Sequence, residues 1–258
     1  SANQLNQSAR SLSHTVERIS SGQRIKRIGD DAAGAAVGVN LSARANSGAQ
    51  AIRNSNDGIS LLQTSLAALN ETENLLSRLR EITVQSSSDT LETTERKYIF
   101  GEYQQIVNEM SRLSDASEFN GLDVGTGESY AIQVGVDGDN NNQIEVTTAD
   151  IDTIHGIVEA LNFTTSTFSQ MSIKRIDSAI EEMNQQQSRI GAKHNRLVNA
   201  INNQEASVLS HQGSASRIQD ADMAAETSRM TALQVKHSAG IAALGQANGM
   251  SQAVLSLI

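Results

Sequence analysis

Cysteine, proline and tryptophan are absent from this 258-residue chain, and the aromatic residues amount to three Tyr and four Phe. Without Cys there is no disulfide framework, no thiolate nucleophile and no Cys-based zinc or iron–sulfur site. At the ordinary abundance of ~5% a chain of this length would carry roughly 13 prolines. Long uninterrupted helices exclude Pro, whereas strand-and-turn folds use it freely, so its absence points to helices. Basic residues are outnumbered 20 to 29, for a formal net charge of −9. An acidic chain poor in aromatics has neither the basic footprint nor the stacking platforms of a nucleic-acid binder. No continuous apolar run reaches the ~18 residues of a membrane span, so none is expected. The opening SANQLNQSARSL has no basic region followed by an apolar one, so no cleavable secretory peptide is expected.

What is present is helical periodicity. Leu5, Ala9, Leu12, Val16 and Ile19 step by 4, 3, 4, 3, a heptad seam rather than the broader stripe of a helix on a globular core. The segment RIKRIGDDAAGAAVG interrupts it, with Gly29, Gly34 and Gly38 lowering helix propensity. A second helix is expected from about 40 to 85, with Ile52, Ile59, Leu62, Leu66, Leu69 and Leu76 on one face, widened by Leu61, Leu75, Leu79 and Ile82. After the polar break SSSDT (86–90), Ile99, Tyr103, Ile106, Met110 and Leu113 predict a third helix. Residues 119–148 are Gly- and Asn-rich, and YAIQVGV and QIEVTT flank DGDNNN as a β-hairpin. A short helix is expected over roughly 150–161. From 173 two columns run in register: Ile173, Ile180, Gln187, His194, Ile201, Val208, and Ile176, Met183, Ile190, Leu197, Gln204, His211. The polar members read as register-setting positions or as places where a partner helix ends.

The last stretch, 217–258, differs again. No Asp, Glu, Lys or Arg follows Lys236, leaving 22 uncharged residues with Ala and Gly on every side of the helix. Nine of the 22 are Ser, Gln, Asn or Gly, too polar for lipid, and Gly245 and Gly249 permit close helix approach. A helix uncharged all round must be buried among other protein, and one chain of this size offers little to bury it. Self-assembly is the expectation. Met223 and Met230, seven apart, read as core filling.

Catalytic signatures are missing. The five His form no HxxxH or HExxH pair, and no GxSxG elbow, GxxxxGK[ST] loop or strand–GxGxxG–helix unit occurs. In DGDNNNQIE, Asp137, Asp139 and Asn141 alternate as in a calcium loop, but Asn142 stands where Gly is needed and Glu145 comes too early. No catalytic, cofactor or metal site is therefore expected. Asn70-Glu71-Thr72 and Asn162-Phe163-Thr164 match a glycan acceptor pattern that is frequent by chance. TTSTFS (164–169) reads as a polar lead-in to the next helix.

Read together, the two ends resemble bacterial flagellin. ERISSGQRIKRIGDDAAGAAVG (17–38) is similar to the family's E-R-L-S-S-G-x-R-I-N…D-D-A-A-G, and the likeness continues through 54–88 and EFNGLDV (118–124). RIGAKHNRLVNAI (189–201), RIQDADMAAETSRM (217–230) and VLSLI (254–258) resemble its second signature. The resemblance implies a mainly α fold: long antiparallel helices in a coiled-coil-like bundle with a small β-hairpin region. It implies an inner-core helical pair, 1–30 with 217–258, forming a filament tube. It also implies an outer-core bundle, 31–216, with a β region at about 119–148 and no variable outer domains. The implied function is a self-assembling structural subunit of the bacterial flagellar filament. Such a subunit leaves by the flagellar export channel for the extracellular filament, a sheathed or periplasmic filament staying open.

Assembly contacts are placed on Leu5, Leu12, Ile19, Ile241, Leu244, Val254, Leu255 and Leu257. Implied partners are further copies of the chain, an export chaperone on the C-terminal helix, and hook-associated and cap proteins. In family members sensed by the animal Toll-like receptor for flagellin, an Arg, a Leu four residues on and a Glu on the next helix form the recognised patch; the matching positions are Arg78, Ile82 and Glu102, with Ile in place of Leu. A hook–filament junction protein and a non-polymeric coiled-coil adaptor are the alternatives.

Overall fold

The computed structural model describes the backbone of residues 2–255 and the side chains of residues 3–246 and 249. The described residues form six helices, α1 (Ala2–Ser21), α2 (Ala32–Ser86), α3 (Thr93–Ala116), α4 (Ile151–Val158), α5 (Ser166–Gln219) and α6 (Met223–Leu255), and four short strands, β1 (Glu118–Phe119), β2 (Leu122–Asp123), β3 (Ser129–Gln133) and β4 (Gln143–Thr147). The chain divides into two compact units, one of Ser1–Asn46 with Val208–Ile258 and one of Ser47–Ser207. Both boundaries fall inside continuous helices, α2 and α5, where no sequence signal marks them. The break expected at RIKRIGDDAAGAAVG falls largely within α2: the helix begins at Ala32 rather than near 40 and carries Gly34 and Gly38 within it.

In the second unit α2 and α5 run antiparallel. Gln187 reaches Asn70, Arg80 bonds Asp177 at 2.8 Å, and Ser86 meets Ser169 at 2.9 Å, so one number falls as the other rises. The buried row of α2 is Ala51, Ser55, Gly58, Leu62, Ser65, Leu69, Thr72, Leu76, Leu79, Thr83 and Ser86, stepping 4 and 3 throughout. Nearly half of it is hydroxyl-bearing, so apolar spacing alone placed the face too far toward Ile52, Ile59 and Leu66, which are half-buried flanks. Burial of these hydroxyls is tolerable because each finds an acceptor or donor. Ser55, Thr72 and Thr83 donate to the carbonyl four residues back at 2.8, 2.9 and 2.7 Å. Ser65 Oγ donates to Val124 O at 3.2 Å and accepts from Ala149 N at 2.6 Å, which fastens the β region to the helix.

The expected columns of α3 and α5 pack against this row. Ile99, Tyr103, Ile106 and Met110 are buried, with Leu113 half-buried. On α5 the column Ile176, Met183, Ile190, Leu197 is buried, while the column of Ile173, Gln187 and His194 is only half so. Gln186, not Gln187, is the buried glutamine: its side chain accepts from Asp150 N at 2.8 Å and donates to Asp150 O at 3.1 Å.

β3 and β4 pair antiparallel from Ser129↔Thr147 to Gln133↔Gln143, as the alternation predicts. The intervening loop carries a 3-10 turn at Asn140–Asn142. A smaller hairpin, β1–β2, turns on Asn120 and Gly121, both at positive φ (53° and 77°), the conformation that Asn-Gly adopts in a two-residue turn. Tyr130 OH donates to Asp123 O at 2.8 Å and joins the two hairpins.

Helix α4 ends where the Tyr103 hydroxyl gathers the chain. That oxygen lies 2.9 Å from Val158 O, 2.5 Å from Glu159 O and 3.2 Å from Leu161 N. Burial pushes the phenol above its ordinary range, so it stays a donor at physiological pH. Replacing it by Phe strips two or three buried backbone groups of a partner. Tyr103→Phe should therefore lower the unfolding free energy by about 1–3 kcal/mol in urea titration, with the helical signal of the native state unchanged.

Candidate assembly surface

The first unit is built on α1 and α6. Arg18 Nη1 meets Glu226 Oε1 at 3.3 Å, and the Gly240 position lies against Leu5. Advancing from 5 to 18 on α1 thus means retreating from 240 to 226 on α6, an antiparallel pair. The turns that lead into it are stitched together. Gly22, at φ 70°, ends α1, and its carbonyl accepts from Ala221 N at 2.9 Å. Arg24 N and the Arg24 guanidinium both reach back, to Gln219 O and Ile218 O at 2.6 Å each. Asp222 Oδ1 caps α6 by accepting from Ala224 N and Ala225 N at 2.9 and 3.2 Å. Asp30 caps the loop before α2: its carboxylate accepts from Arg27 N and Lys26 N at 3.2 and 3.3 Å. These bonds hold Asp30 below its ordinary pKa. The loop keeps this cap above the ordinary carboxylate range and loses it only as pH falls through the lowered value.

The covered face of α1 consists of Leu5, Ser8, Leu12, Thr15 and Ile19. Ala9 and Val16, assigned to the seam from sequence, are exposed, and two small hydroxyl residues take their place. The facing row of α6 is Glu226, Met230, Leu233, His237, Gly240 and Leu244, again stepping 4 and 3. Of this row the sequence singled out only Met230, as core filling, and Leu244, as an assembly contact; the Arg18–Glu226 pair joins residues 208 positions apart and left no local signal. Met223, read as core filling, is exposed.

The sequence-assigned assembly residues therefore part company. Leu5, Leu12, Ile19 and Leu244 are half-buried in the seam between the two chain ends, whereas Ile241 is 51% exposed. The side chains of Val254 and Leu255 lie outside the described residues, as does Leu257 altogether. A groove of about 500 Å³ opens between Leu5, Ser8 and Ser11 on α1 and Leu233, Gly240 and Leu244 on α6.

The seam covers one stripe of each helix and little else. Among the described residues, 30 apolar side chains are buried, and only Ile25, Ala45 and Ala215 belong to the first unit. Val16, Ile28, Val37, Val39, Leu209, Met223, Val235 and Ile241 of the same unit stand exposed.

The second sequence-assigned patch lies on α2 and α3. Arg78 is exposed and bonds Glu102 Oε1 at 2.6 Å and Glu81 Oε2 at 3.0 Å; these bonds, Glu102's foremost, raise the guanidinium pKa. Ile82 does not join them at the surface. It is 1% exposed and belongs to the core, because it falls one step beside the Leu79–Thr83 row on the inward side of α2. A surface patch of three residues is thus reduced to the Arg78–Glu102 pair.

Comparison with known proteins follows the same two ends. Residues 1–124 match the bacterial flagellin N-terminal helical region and residues 173–258 the bacterial flagellin C-terminal helical region. A flagellin of Halalkalibacterium halodurans is 38% identical, over 94% of this chain and 90% of that relative. Flagellin FlaB2 of Treponema pallidum is 32% identical, over 97% of this chain and 96% of that relative. Among solved structures, the crystal structure of Bacillus cereus flagellin is similar with a TM-score of 0.51 at 28% identity, covering 59% of this chain and 88% of that one.

Proposed function

We infer that this chain, which belongs to the bacterial flagellin family, is the structural subunit of a bacterial flagellar filament. The observation that carries this reading is the near absence of a core in the first unit, where three buried apolar residues stand against eight exposed ones. Burying a large aliphatic side chain is worth about 1.5–3 kcal/mol. Covering that set with neighbouring copies supplies a driving force of the kind a helical polymer needs. The family is one of structural proteins, and the mechanism is assembly rather than turnover.

In this reading the subunit leaves through the flagellar export channel and joins the extracellular filament at its tip. The uncharged part of α6 is covered by a cytoplasmic chaperone before export. Hook-associated and cap proteins bound the polymer at its two ends. No described helix is long and apolar enough to cross a membrane. Recognition by the Toll-like receptor rests on Arg78 and Glu102 alone, since Ile82 is buried; receptor activation unchanged by Arg78→Ala would contradict that part.

The test is polymerisation of the purified chain on seeds, followed by sedimentation and electron microscopy. The expected result is a sharp critical concentration with long filaments above it. Short rings or caps would indicate a junction protein, and a small oligomer of fixed size at every concentration an adaptor.

A further inference from the structure

The second unit has a groove of its own, of about 500 Å³, between the N-terminal half of α3 and the 160–164 loop. Its lining is apolar: Leu161 and Phe163 are buried beneath it, and Phe100 is 39% exposed with its ring 5.4 Å from Tyr103 and 6.3 Å from Phe163. The only charged side chains on it are Arg96 and Lys97. Arg96 is committed inward, bonding Ser86 O and, at 2.7 Å, Ser88 O. Lys97 is exposed at the rim and makes no ion pair among the described residues. A cationic apolar groove is an unusual feature on a chain with a net charge of −9.

Its complement is found on the same molecule, at the other end of the same helix. The β1–β2 hairpin follows the C-terminus of α3, about 36 Å from its start at 1.5 Å per residue for 24 residues. Leu122 stands 40% exposed on that hairpin. Asp115, Glu118, Asp123 and Glu128 surround it in sequence, and no Lys or Arg occurs between Arg112 and Lys174. The Asn120–Gly121 turn holds the hairpin in a preformed shape, so presenting Leu122 costs little ordering entropy.

Resting on the filament reading, we propose that the groove at the start of α3 receives the acidic β1–β2 hairpin of a second copy of this chain, with Leu122 against Phe100 and Glu118 near Lys97. The contact is heterologous: the groove lies at the start of α3 and the knob on the hairpin that follows its end, so each bound copy offers a fresh groove or knob to the next. A contact of that kind propagates head to tail and builds an open polymer wherever its rotation does not close into a ring. It adds a lengthwise interaction to the polymer that is independent of the first unit.

The test is the critical concentration of three full-length chains, Lys97→Glu, Glu118→Lys and the double variant, measured on wild-type seeds, with the thermal melt of each as a folding control. Lys97 and Glu118 are exposed, so the melts should coincide with wild type. Each single reversal places like charges across the contact and should raise the critical concentration about tenfold; the double variant restores opposite charges and should return to within about twofold of wild type. Wild-type critical concentrations for both single variants, or a double variant worse than either, would overturn the proposal while leaving the filament reading intact. Failure of the wild-type chain to polymerise in the same assay would overturn both.

Discussion

A chain ending at Lys236 should form no filaments at any soluble concentration, yet unfold in urea with the same midpoint as the intact chain. The deletion removes the 22 residues without charge, including the exposed Ile241 and the groove-lining Gly240 and Leu244. It leaves the Arg18–Glu226 pair, Met230 and Leu233 of the seam, and it touches none of the 27 buried apolar residues of the second unit. Monomer stability resides in those residues, whereas assembly energy comes from surface that the monomer leaves open. Sedimentation on wild-type seeds and an equilibrium urea curve check the two halves of the expectation. A truncated chain with normal filaments would show that the uncharged end is not the assembling surface.

The second large effect runs the other way. Leu76 is fully buried between α2 and its neighbours, so Leu76→Ala should cost about 2–5 kcal/mol of monomer stability. Ile241→Asp alters a side chain that is already half in water and should change monomer stability by less than about 0.5 kcal/mol. The same substitution places a charge where a neighbouring copy must dry the surface, and it should raise the critical concentration by two orders of magnitude or more. The two variants therefore separate what holds one chain together from what joins chains. Urea unfolding reads the first, and critical concentration the second.

The sequence was legible wherever burial is paid in large apolar residues at helical spacing. The columns of α3 and α5, and the β3–β4 alternation, stand in the structure where the spacing put them. It was less legible where small hydroxyls take core positions, as Ser55, Ser65, Thr72, Thr83 and Ser86 do on α2, and Ser8 and Thr15 on α1. Such residues look like surface in a hydropathy pattern and are buried only because a carbonyl or hydroxyl lies within reach. Glycine misled in the same direction: Gly34 and Gly38 suggested a break, while the helix runs through both. The Asn120–Gly121 hairpin carried a recognisable turn signal, but its strands are two residues long and show no alternation. Ile82 entered the receptor patch through the family resemblance, although its spacing from Leu79 and Leu75 had already placed it on the apolar face of α2. On α6, the lack of charge after Lys236 drew attention to the helix but did not mark the row from Glu226 to Leu244 that faces α1.

Amide hydrogen exchange compared between the monomer and the filament tests the dependence of α1 and α6 on other copies most directly. Amides of both helices should exchange rapidly in the monomer and gain protection of at least ~100-fold in the filament, while those of residues 47–207 change little. Protection of α1 and α6 in the monomer equal to that in the filament would contradict the account.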